Sequence, residues 1–301
     1  MHTQLSQRKL PLPLCFPYYD GRASQIVLRP TCFFFALSEA AIFAGMKRLI
    51  SLLIRYIPRK YLQRISGPGM KVAALFLAGR EVTCPVCTRS FRKFLPYGRI
   101  NPRPNALCPN CLSLERHRLI WLYLRKKTDF FNGKKSVLHI APEACFMRGF
   151  EKIHQELYIT TDIESPLAKV KADIHNLPFS DQSFEVVLCN HVLEHVADDI
   201  AAMKEICRVL RPGGYAIMQV PFFHPIPEKT ISDPTITDRR MREKLFGQDD
   251  HVRRYGLDYP ERIAQAGLTP FQDNFVDTLS DKDRETYGLV KGETIYGGRK
   301  P

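Results

Sequence analysis

The chain has 301 residues, of which 45% are hydrophobic and 25% charged, so it can hold two domains and a large core. This composition excludes a low-complexity chain that stays unfolded. The net charge of +13 is uneven, because residues 1–83 carry 12 basic and 3 acidic side chains, residues 84–135 carry 12 and 2, and residues 136–301 carry 20 and 26. The basic front half indicates either contact with a polyanion or an anionic membrane, or a solvated basic face without a partner.

Residues 1–45 differ from the rest of the chain. Their apolar run, residues 31–45, contains Glu39 and is short for a membrane span. The run also begins late for a signal peptide and lacks a basic region close to the terminus. We therefore predict a leader of low structure, and a protein that starts at Met46.

Residues 46–83 are predicted to form a basic, amphipathic helical segment. Leu49, Ile50, Leu53 and Ile57 lie on one face of such a helix, surrounded by arginine and lysine. Two alternatives stay open. Residues 46–65 lie on a membrane surface as a peripheral contact, or the helix packs onto the following domain.

Two CxxC turns, Cys84–Cys87 and Cys108–Cys111, are separated by 20 residues. Four thiolates at this spacing suit a tetrahedral Zn²⁺ site. The rival interpretation is a pair of disulfides in an oxidising compartment. Because the other five cysteines form no framework, we favour structural zinc and a cytoplasmic protein, with a zinc ribbon and a linking helix at residues 84–127.

Basic and aromatic residues alternate between the two CxxC turns: Arg89, Phe91, Arg92, Lys93, Phe94, Tyr97, Arg99 and Arg103. Such a pattern binds single-stranded nucleic acid through phosphate contacts and base stacking. A module this small also needs its aromatic residues as a core, and we favour that interpretation for them. Ser113 is a candidate cap for the linking helix, and His117 is interpreted as a surface or packing residue.

Residues 171–221 contain a strand, a helix, a turn and a second strand. The strand is an apolar run at 184–190, and the helix is predicted from apolar spacing over 193–210. Pro212, Gly213 and Gly214 would end the helix, and residues 215–220 form the second strand. This βαβ unit predicts a parallel sheet.

The same stretch resembles the class I S-adenosylmethionine-dependent methyltransferases. The resemblance rests on four blocks in family order: Asp173 with 177–179, then 181–187, 192–196 and 208–214. It implies an α/β fold over 128–301, with a Rossmann-like seven-stranded sheet that is mostly parallel and has its last strand antiparallel, preceded by the small ribbon. A ribbon ahead of such a domain is also similar to bacterial ribosomal-RNA guanine methyltransferases, which makes RNA a candidate acceptor.

The resemblance also implies a set of residues that bind S-adenosylmethionine. In the family, the first strand ends in an acid and a glycine-rich turn, whereas this chain has His139, Ala141, Pro142 and Glu143 there. We expect negative φ at Ala141, and expect Glu143 to bind the cofactor's ammonium group. The remaining candidates follow later strands: Asp162 for the ribose hydroxyls, Asp173 and Ile174 for adenine, and Asn190 and His191 at the rim where such sheets bind ligands.

The acceptor is expected beside residues 228–257, an insertion after the fifth strand. His191, His251 and Tyr255 are candidate proton acceptors, and Arg253 or Arg254 could hold an anionic substrate. The alternative is a solvated lid helix. Residues 191–195 also match the H-x-x-E-H zinc-protease pattern, which we reject because no third ligand is evident.

Two functions are therefore weighed. The first is methyl transfer to an unidentified acceptor. The opposing function is a non-catalytic zinc-ribbon binding protein with a degenerate methyltransferase fold. The glycine-free turn favours the second, and the intact Asp162 and Asp173 favour the first.

Overall fold

The computed structural model describes residues 74–98 and 102–301. The predictions for the leader 1–45, the start at Met46 and the membrane contact through 46–65 lie outside these residues. Within the described ranges, no helix combines the length and the apolar character needed to cross a bilayer.

The ribbon consists of two antiparallel hairpins. Its strands are β1 (Ala78–Thr83), β2 (Ser90–Phe91), β3 (Leu95–Tyr97) and β4 (Arg103–Leu107). A helical segment was expected up to residue 83, which is wrong for residues 78–83, because they form β1 and pair with β2. The ribbon therefore begins before Cys84. The physical reason is that Val82 joins buried Phe91 and Phe94 around the cysteines. These two phenylalanines are core residues, as favoured above, whereas Tyr97 is exposed.

Helix α1 (Glu115–Lys127) follows the second cysteine turn. The N-cap residue is Leu114 rather than Ser113, and its backbone N–H donates at 3.0 Å to Nδ1 of His117, the third residue of the helix. The Ser113 side chain instead lies buried in the cysteine cluster. Leu119, Ile120 and Leu124 of α1 are fully buried, so this helix is part of the larger domain's core.

Seven strands form the central sheet, and its predicted architecture is confirmed. In spatial order the strands are β12 (Thr269–Asp273), β13 (Ile295–Arg299), β9 (Leu210–Ile217), β8 (Phe184–Cys189), β5 (Val137–Ile140), β6 (Tyr158–Asp162) and β7 (Val170–Lys171). Strands β5 to β9 pair in parallel, and the last strand, β13, is antiparallel to both of its neighbours.

Helices cover both faces of this sheet. The remaining ones are α2 (Ala144–His154), α3 (Asp199–Val209), α4 (Arg239–Phe246), α5 (Tyr259–Gln265) and α6 (Asp281–Tyr287). Helices α1 and α2 pack against one face, where Val186 and Leu188 are buried. Helices α3 and α5 pack against the other face, where Val187 is buried. The result is a three-layer α/β domain.

Helix α3 and strand β9, which was predicted at 215–220 and is observed at Leu210–Ile217, differ from the sequence prediction in their bounds. Helix α3 begins at Asp199 rather than at residue 193, because the Asp198 carboxylate accepts the Ala201 N–H at 2.9 Å and caps it there. Residues 191–198 form turns instead. The helix also ends before Pro212, since Leu210 already pairs with Phe184 and β9 includes the Pro-Gly-Gly segment.

Candidate cofactor site and metal centre

The four cysteines of the two CxxC turns form one cluster. Cys84 Sγ lies 3.6 Å from Cys111 Sγ, and Cys87 Sγ lies 3.8 Å from Cys108 Sγ. These separations are too long for disulfides and close to the ~3.8 Å edge of a tetrahedron with Zn–S bonds of about 2.3 Å. All four thiols are free, and hydrogen bonding with Cys108 contributes to lowering the pKa of Cys84 to about 7.

Both turns have the same backbone geometry. Thr88 N–H donates to the Cys84 carbonyl at 2.8 Å, and Leu112 N–H donates to the Cys108 carbonyl at 3.0 Å. Thr88 and Leu112 have φ of 59° and 61°, which turns the chain away after each pair of sulfurs. The local sequence therefore presents each pair of thiols on one side, and pairing of the hairpins brings the two pairs together.

The predicted cofactor residues lie at the carboxyl edge of the central sheet. Ile140, the last residue of β5, pairs with Thr161 of β6 and with Cys189 of β8. Asp162 and Asn190 each follow these partners by one residue and therefore flank the turn at Ala141. This edge is where open α/β sheets bind ligands.

A hydrogen-bonded chain surrounds Glu143. Asn190 Nδ2 donates to Glu143 Oε1 at 3.2 Å, and His139 Nε2 bonds to the other carboxylate oxygen. The Tyr158 hydroxyl lies 2.7 Å from His139 Nδ1, to which it can donate. Burial raises the pKa of Glu143, but the interactions with His139 outweigh burial and lower that pKa to about 2. Glu143 is thus an anion at this edge, as a partner for an ammonium group must be.

His117 reaches the same carboxylate from the ribbon side. Its Nε2 lies 3.8 Å from Glu143 Oε1, and burial lowers the pKa of His117 to about 3. The interpretation of His117 as a packing residue therefore missed its proximity to the cofactor site. No signal in the sequence links residues 117 and 143, because only the packing of α1 on α2 places them together.

We expect the His117→Gln variant to flatten the dependence of stability on pH. The pKa of His117 is about 3 when folded and near 6.5 when unfolded, so the neutral form's contribution is complete above pH 6.5 and is lost as pH falls. Between about pH 7 and pH 5 the wild type should lose about 2 kcal/mol more unfolding free energy than the variant. Urea unfolding of both proteins at pH 7 and pH 5 measures this difference. An equal loss of unfolding free energy in the wild type and the variant would contradict the prediction.

The turn at Ala141 differs from the expectation. Its φ is +50°, in the left-handed region that glycine favours, whereas we expected a negative φ. The physical reason lies in the neighbouring strand, since Ala141 N–H donates to the Thr161 carbonyl at 2.8 Å. The turn thus keeps a glycine-like conformation without a glycine.

Replacing Ala141 by glycine is therefore expected to raise the unfolding free energy by up to about 1 kcal/mol, because it relieves the left-handed strain. Ala201→Gly in α3 is the matched control and should lower stability by about 0.5–1 kcal/mol. Chemical denaturation of both variants measures the difference, and destabilisation by Ala141→Gly would contradict the backbone assignment.

Asp162 and Asp173 are partly engaged with their own backbone. Asp162 Oδ1 accepts N–H groups of Glu164 and Ser165 at 2.7 and 2.6 Å, and no donor among the described residues reaches Oδ2. Asp173 Oδ1 accepts from the backbone and ring of His175, which lower the pKa of this carboxyl. The side chain of Ile174 is buried in the core.

The expected acceptor residues are mostly tied to the protein itself. Tyr255 is buried and donates to Asp199 at 2.9 Å, while His251 Nδ1 bonds to the Phe246 carbonyl at 3.1 Å.

Arg253 and Arg254 donate to backbone carbonyls. Arg253 is almost fully buried and is therefore not accessible to an anionic substrate, whereas for Arg254 that role stays a prediction. His191 is partly exposed, with Nδ1 at 3.3 Å from Glu194.

Residues 228–257 are not simply a solvated lid helix. They contain α4 and a two-stranded hairpin of β10 (Ile231–Ser232) and β11 (Arg253–Arg254). Phe246, His251 and Tyr255 within them are fully or almost fully buried. The insertion therefore packs onto the domain.

Glu293 was missed by the sequence interpretation. It precedes β13, whose antiparallel direction brings its start to the carboxyl edge of the parallel strands. Burial and the nearby Glu115 raise the pKa of Glu293 to about 7. An acid with this pKa can exchange protons at neutral pH.

An open cleft of about 830 Å³ lies elsewhere, at the amino ends of the strands. Lys126, Lys135, Arg211 and Arg299 line it. This cleft lies at the opposite edge of the sheet from Glu143 and Asp162, which are at the carboxyl ends of β5 and β6. The cofactor candidates therefore do not line it.

The strand order, the antiparallel β13 and the polar carboxyl edge together define a class I methyltransferase domain. Residues 150–218 match the family model described as "Methyltransferase domain". The match contains Asp162, Asp173 and Asn190 and begins after the glycine-free turn.

Two curated relatives are similar over part of the chain. A tRNA U34 carboxymethyltransferase of Nautilia profundicola is 29% identical over 128 residues, covering 42% of this chain and 39% of the relative. A demethylmenaquinone methyltransferase of Staphylococcus epidermidis is 46% identical over 116 residues, covering 36% of this chain and 48% of the relative. The chain thus spans less than half the length of either relative.

A solved S-adenosylmethionine-dependent methyltransferase from Mesorhizobium loti is similar at 14% identity, over 60% of this chain and 97% of that one. The TM-score is 0.42, so the assignment of the fold rests on the strand order instead.

Proposed function

We propose that this protein is an S-adenosylmethionine-dependent methyltransferase whose cofactor binds at the carboxyl edge of β5, β6 and β8. The observation that carries the proposal is the convergence of Glu143, Asp162 and Asn190 at the ends of three adjacent strands. The family match over 150–218 supports it.

Each side chain has a proposed role in binding. Asp162 accepts the ribose hydroxyls through Oδ2, while Oδ1 holds the local turn. Glu143, oriented by His139 and Asn190, accepts the ammonium group. Asp173 and the backbone at Ile174 meet adenine, and the left-handed turn at Ala141 gives the methionine part close access to the backbone. His191 lies at the rim beside Asn190.

When bound, the cofactor supplies a methyl group on a sulfonium that transfers by in-line displacement. The chain's contribution is to position the acceptor and to exclude water, which supplies much of the acceleration. Where the acceptor must lose a proton, His191 and Glu293 are the candidates that the structure leaves at this edge. Buried Tyr255 donates to Asp199 and is a weaker candidate.

The cysteine cluster is proposed to hold one structural Zn²⁺ through Cys84, Cys87, Cys108 and Cys111. The sulfur separations of 3.6 and 3.8 Å support this donor set. A Cys₄ centre carries a net charge of −2, and the buried guanidinium of Arg118 lies near enough to interact with three of these thiols.

RNA is the proposed acceptor. The excess of basic residues over 84–135 and the similarity to a tRNA-modifying relative support this proposal. Burial of Phe91 and Phe94 removes two of the three candidate stacking residues, so the contact would be mainly electrostatic. Binding of RNA should then weaken steeply with added salt, and a flat response together with methylation of a small quinone would overturn RNA as the acceptor.

The cofactor site is tested by calorimetric titration with S-adenosylmethionine and S-adenosylhomocysteine. We expect micromolar binding by the wild type and about 100-fold weaker binding by Asp162→Asn, because asparagine keeps an oxygen for the local turn but loses the carboxylate. Asp181→Asn, an exposed carboxylate beside Arg208, is the control and should bind normally.

Failure of the folded, zinc-loaded wild type to bind either ligand would overturn the proposal. That result would favour the alternative, a non-catalytic ribbon protein with a degenerate methyltransferase fold. Equal binding by wild type and Asp162→Asn would instead remove Asp162 from the site.

A further inference from the structure

A second group of metal-ligating side chains lies apart from the cysteines. Glu194 and His195 belong to the turns after β8, and His251 follows α4. One ligand atom from each of the three lies within 4.8 Å of the others. The sequence showed no third ligand for the rejected pattern at 191–195. The fold places His251, which is 56 residues after His195, next to that segment.

Backbone contacts hold the two segments together. Val252 N–H donates to the Glu194 carbonyl at 2.9 Å, and Arg253 binds the carbonyls of Leu193 and Ala197. Arg253 is almost fully buried, so its role is to join the turn after β8 to the loop that carries His251. The three ligating side chains therefore lie on a fixed frame.

Hydrogen bonds orient both imidazoles as metal ligands. His251 Nδ1 lies 3.1 Å from the Phe246 carbonyl, and His195 Nδ1 lies 3.2 Å from the Asp250 carbonyl. A carbonyl only accepts, so each Nδ1 carries a proton and each neutral ring keeps a lone pair on Nε2. Such bonds to the second ring nitrogen are typical of metal-ligating histidines.

The carboxylate of Glu194 lacks a partner on one side. Glu194 is only 1% exposed, and its Oε2 has no hydrogen-bond partner within the described part of the chain. Its Oε1 lies 3.3 Å from His191 Nδ1 and 3.9 Å from His195 Nε2. A buried anionic oxygen without a donor is costly, and a cation beside it would remove that cost.

We propose that Glu194, His195 and His251 bind a divalent transition-metal ion, distinct from the zinc of the cysteine cluster. Two imidazoles and one carboxylate suit Zn²⁺ and Fe²⁺ better than Mg²⁺ or Ca²⁺. His195 is partly exposed, so the ion is open to solvent on that side and keeps coordination positions for water or another ligand. The site does not depend on the proposed methyl transfer.

The test is a metal count and a calorimetric titration with Zn²⁺. Wild-type protein dialysed against a zinc buffer should hold two equivalents, one from each site. His195→Ala and Glu194→Gln should each hold one, with the cysteine site still loaded. His195→Ala is chosen because its partial exposure makes misfolding a small risk, and Glu194→Gln keeps the size of the side chain. His224→Ala, at an exposed histidine, is the control and should hold two.

A wild type that holds one equivalent, and titrates no second ion, would overturn the proposal. In that case His195 would only bridge Glu194 and Asp250, whose carboxylate lies 3.7 Å from its Nδ1. Two equivalents retained by both ligand variants would also overturn it, because the second ion would then lie elsewhere. Neither outcome alters the titration with S-adenosylhomocysteine, so this failure and failure of the methyltransferase proposal are distinguishable.

Discussion

The Cys87→Ser variant is expected to lose one equivalent of zinc and to unfold the ribbon. Structural zinc in small modules contributes about 10–16 kcal/mol of apparent binding free energy at neutral pH. The ribbon's own core around Val82, Phe91 and Phe94 is far too small to replace this contribution. Because α1 is buried against the larger domain, we expect the central sheet and its helices to persist.

Metal analysis and hydrogen exchange measure these two effects. Amides of β1 to β4 should lose protection in the variant, whereas those of β5 and β8 should keep theirs. Cys207→Ser is the control, since this half-buried thiol lies outside the cluster and should leave the zinc content unchanged. A Cys87→Ser protein with full zinc and a protected ribbon would contradict the assignment.

The second large effect is expected from Arg118, which joins the ribbon to the methyltransferase domain. Its guanidinium is fully buried and donates to four carbonyls, of Ala106, Ser113, Tyr287 and Gly288, at 2.6 to 2.9 Å. It also lies 4.2 Å from the centre of the Phe94 ring. One side chain thus binds β4, the second cysteine turn, the last residue of α6 and the glycine after it.

Arg118→Met should lower the unfolding free energy by about 4 kcal/mol, because it leaves buried carbonyls without donors and removes the cation beside the thiolates. Arg125→Met, on the exposed side of the same helix, should change stability by less than about 0.5 kcal/mol. Denaturant midpoints of the two variants measure the difference. Equal midpoints for the two variants would show that Arg118 does not stabilise the contact between the ribbon and the larger domain.

The sequence supported the sheet well because buried parallel strands are continuous apolar runs with sharp ends. Residues 184–190 were assigned from such a run, and the observed strand differs from it by one residue. The start of α3 was wrong for a physical reason. Leu193 is buried in a turn rather than in a helix, so apolar spacing alone could not separate the two conformations.

The candidate site was predictable where it follows strand ends and not where it depends on distant segments. The resemblance implied Asp162 as a cofactor residue, and Asn190 was a candidate because parallel strands bring their carboxyl ends to one edge; the structure places both beside Ala141. The approach of His117 to Glu143 could not be foreseen, since it depends on how α1 packs. The conformation of Ala141 was also misjudged, because a hydrogen bond from the next strand outweighed the preference of alanine.

The sequence by itself determined the apolar strands and the four cysteines, because these depend on local composition and on spacing along the chain. The resemblance of its four blocks to class I methyltransferases indicated the class of domain. Only the tertiary structure decided that Arg253 joins two segments instead of holding a substrate. It also decided that the side chains of Glu194, His195 and His251 lie close together, and that Arg118 binds the ribbon to the larger domain. The reason is that each of these contacts joins segments far apart in the chain, and their geometry is set by the packing of helices on both faces of the sheet.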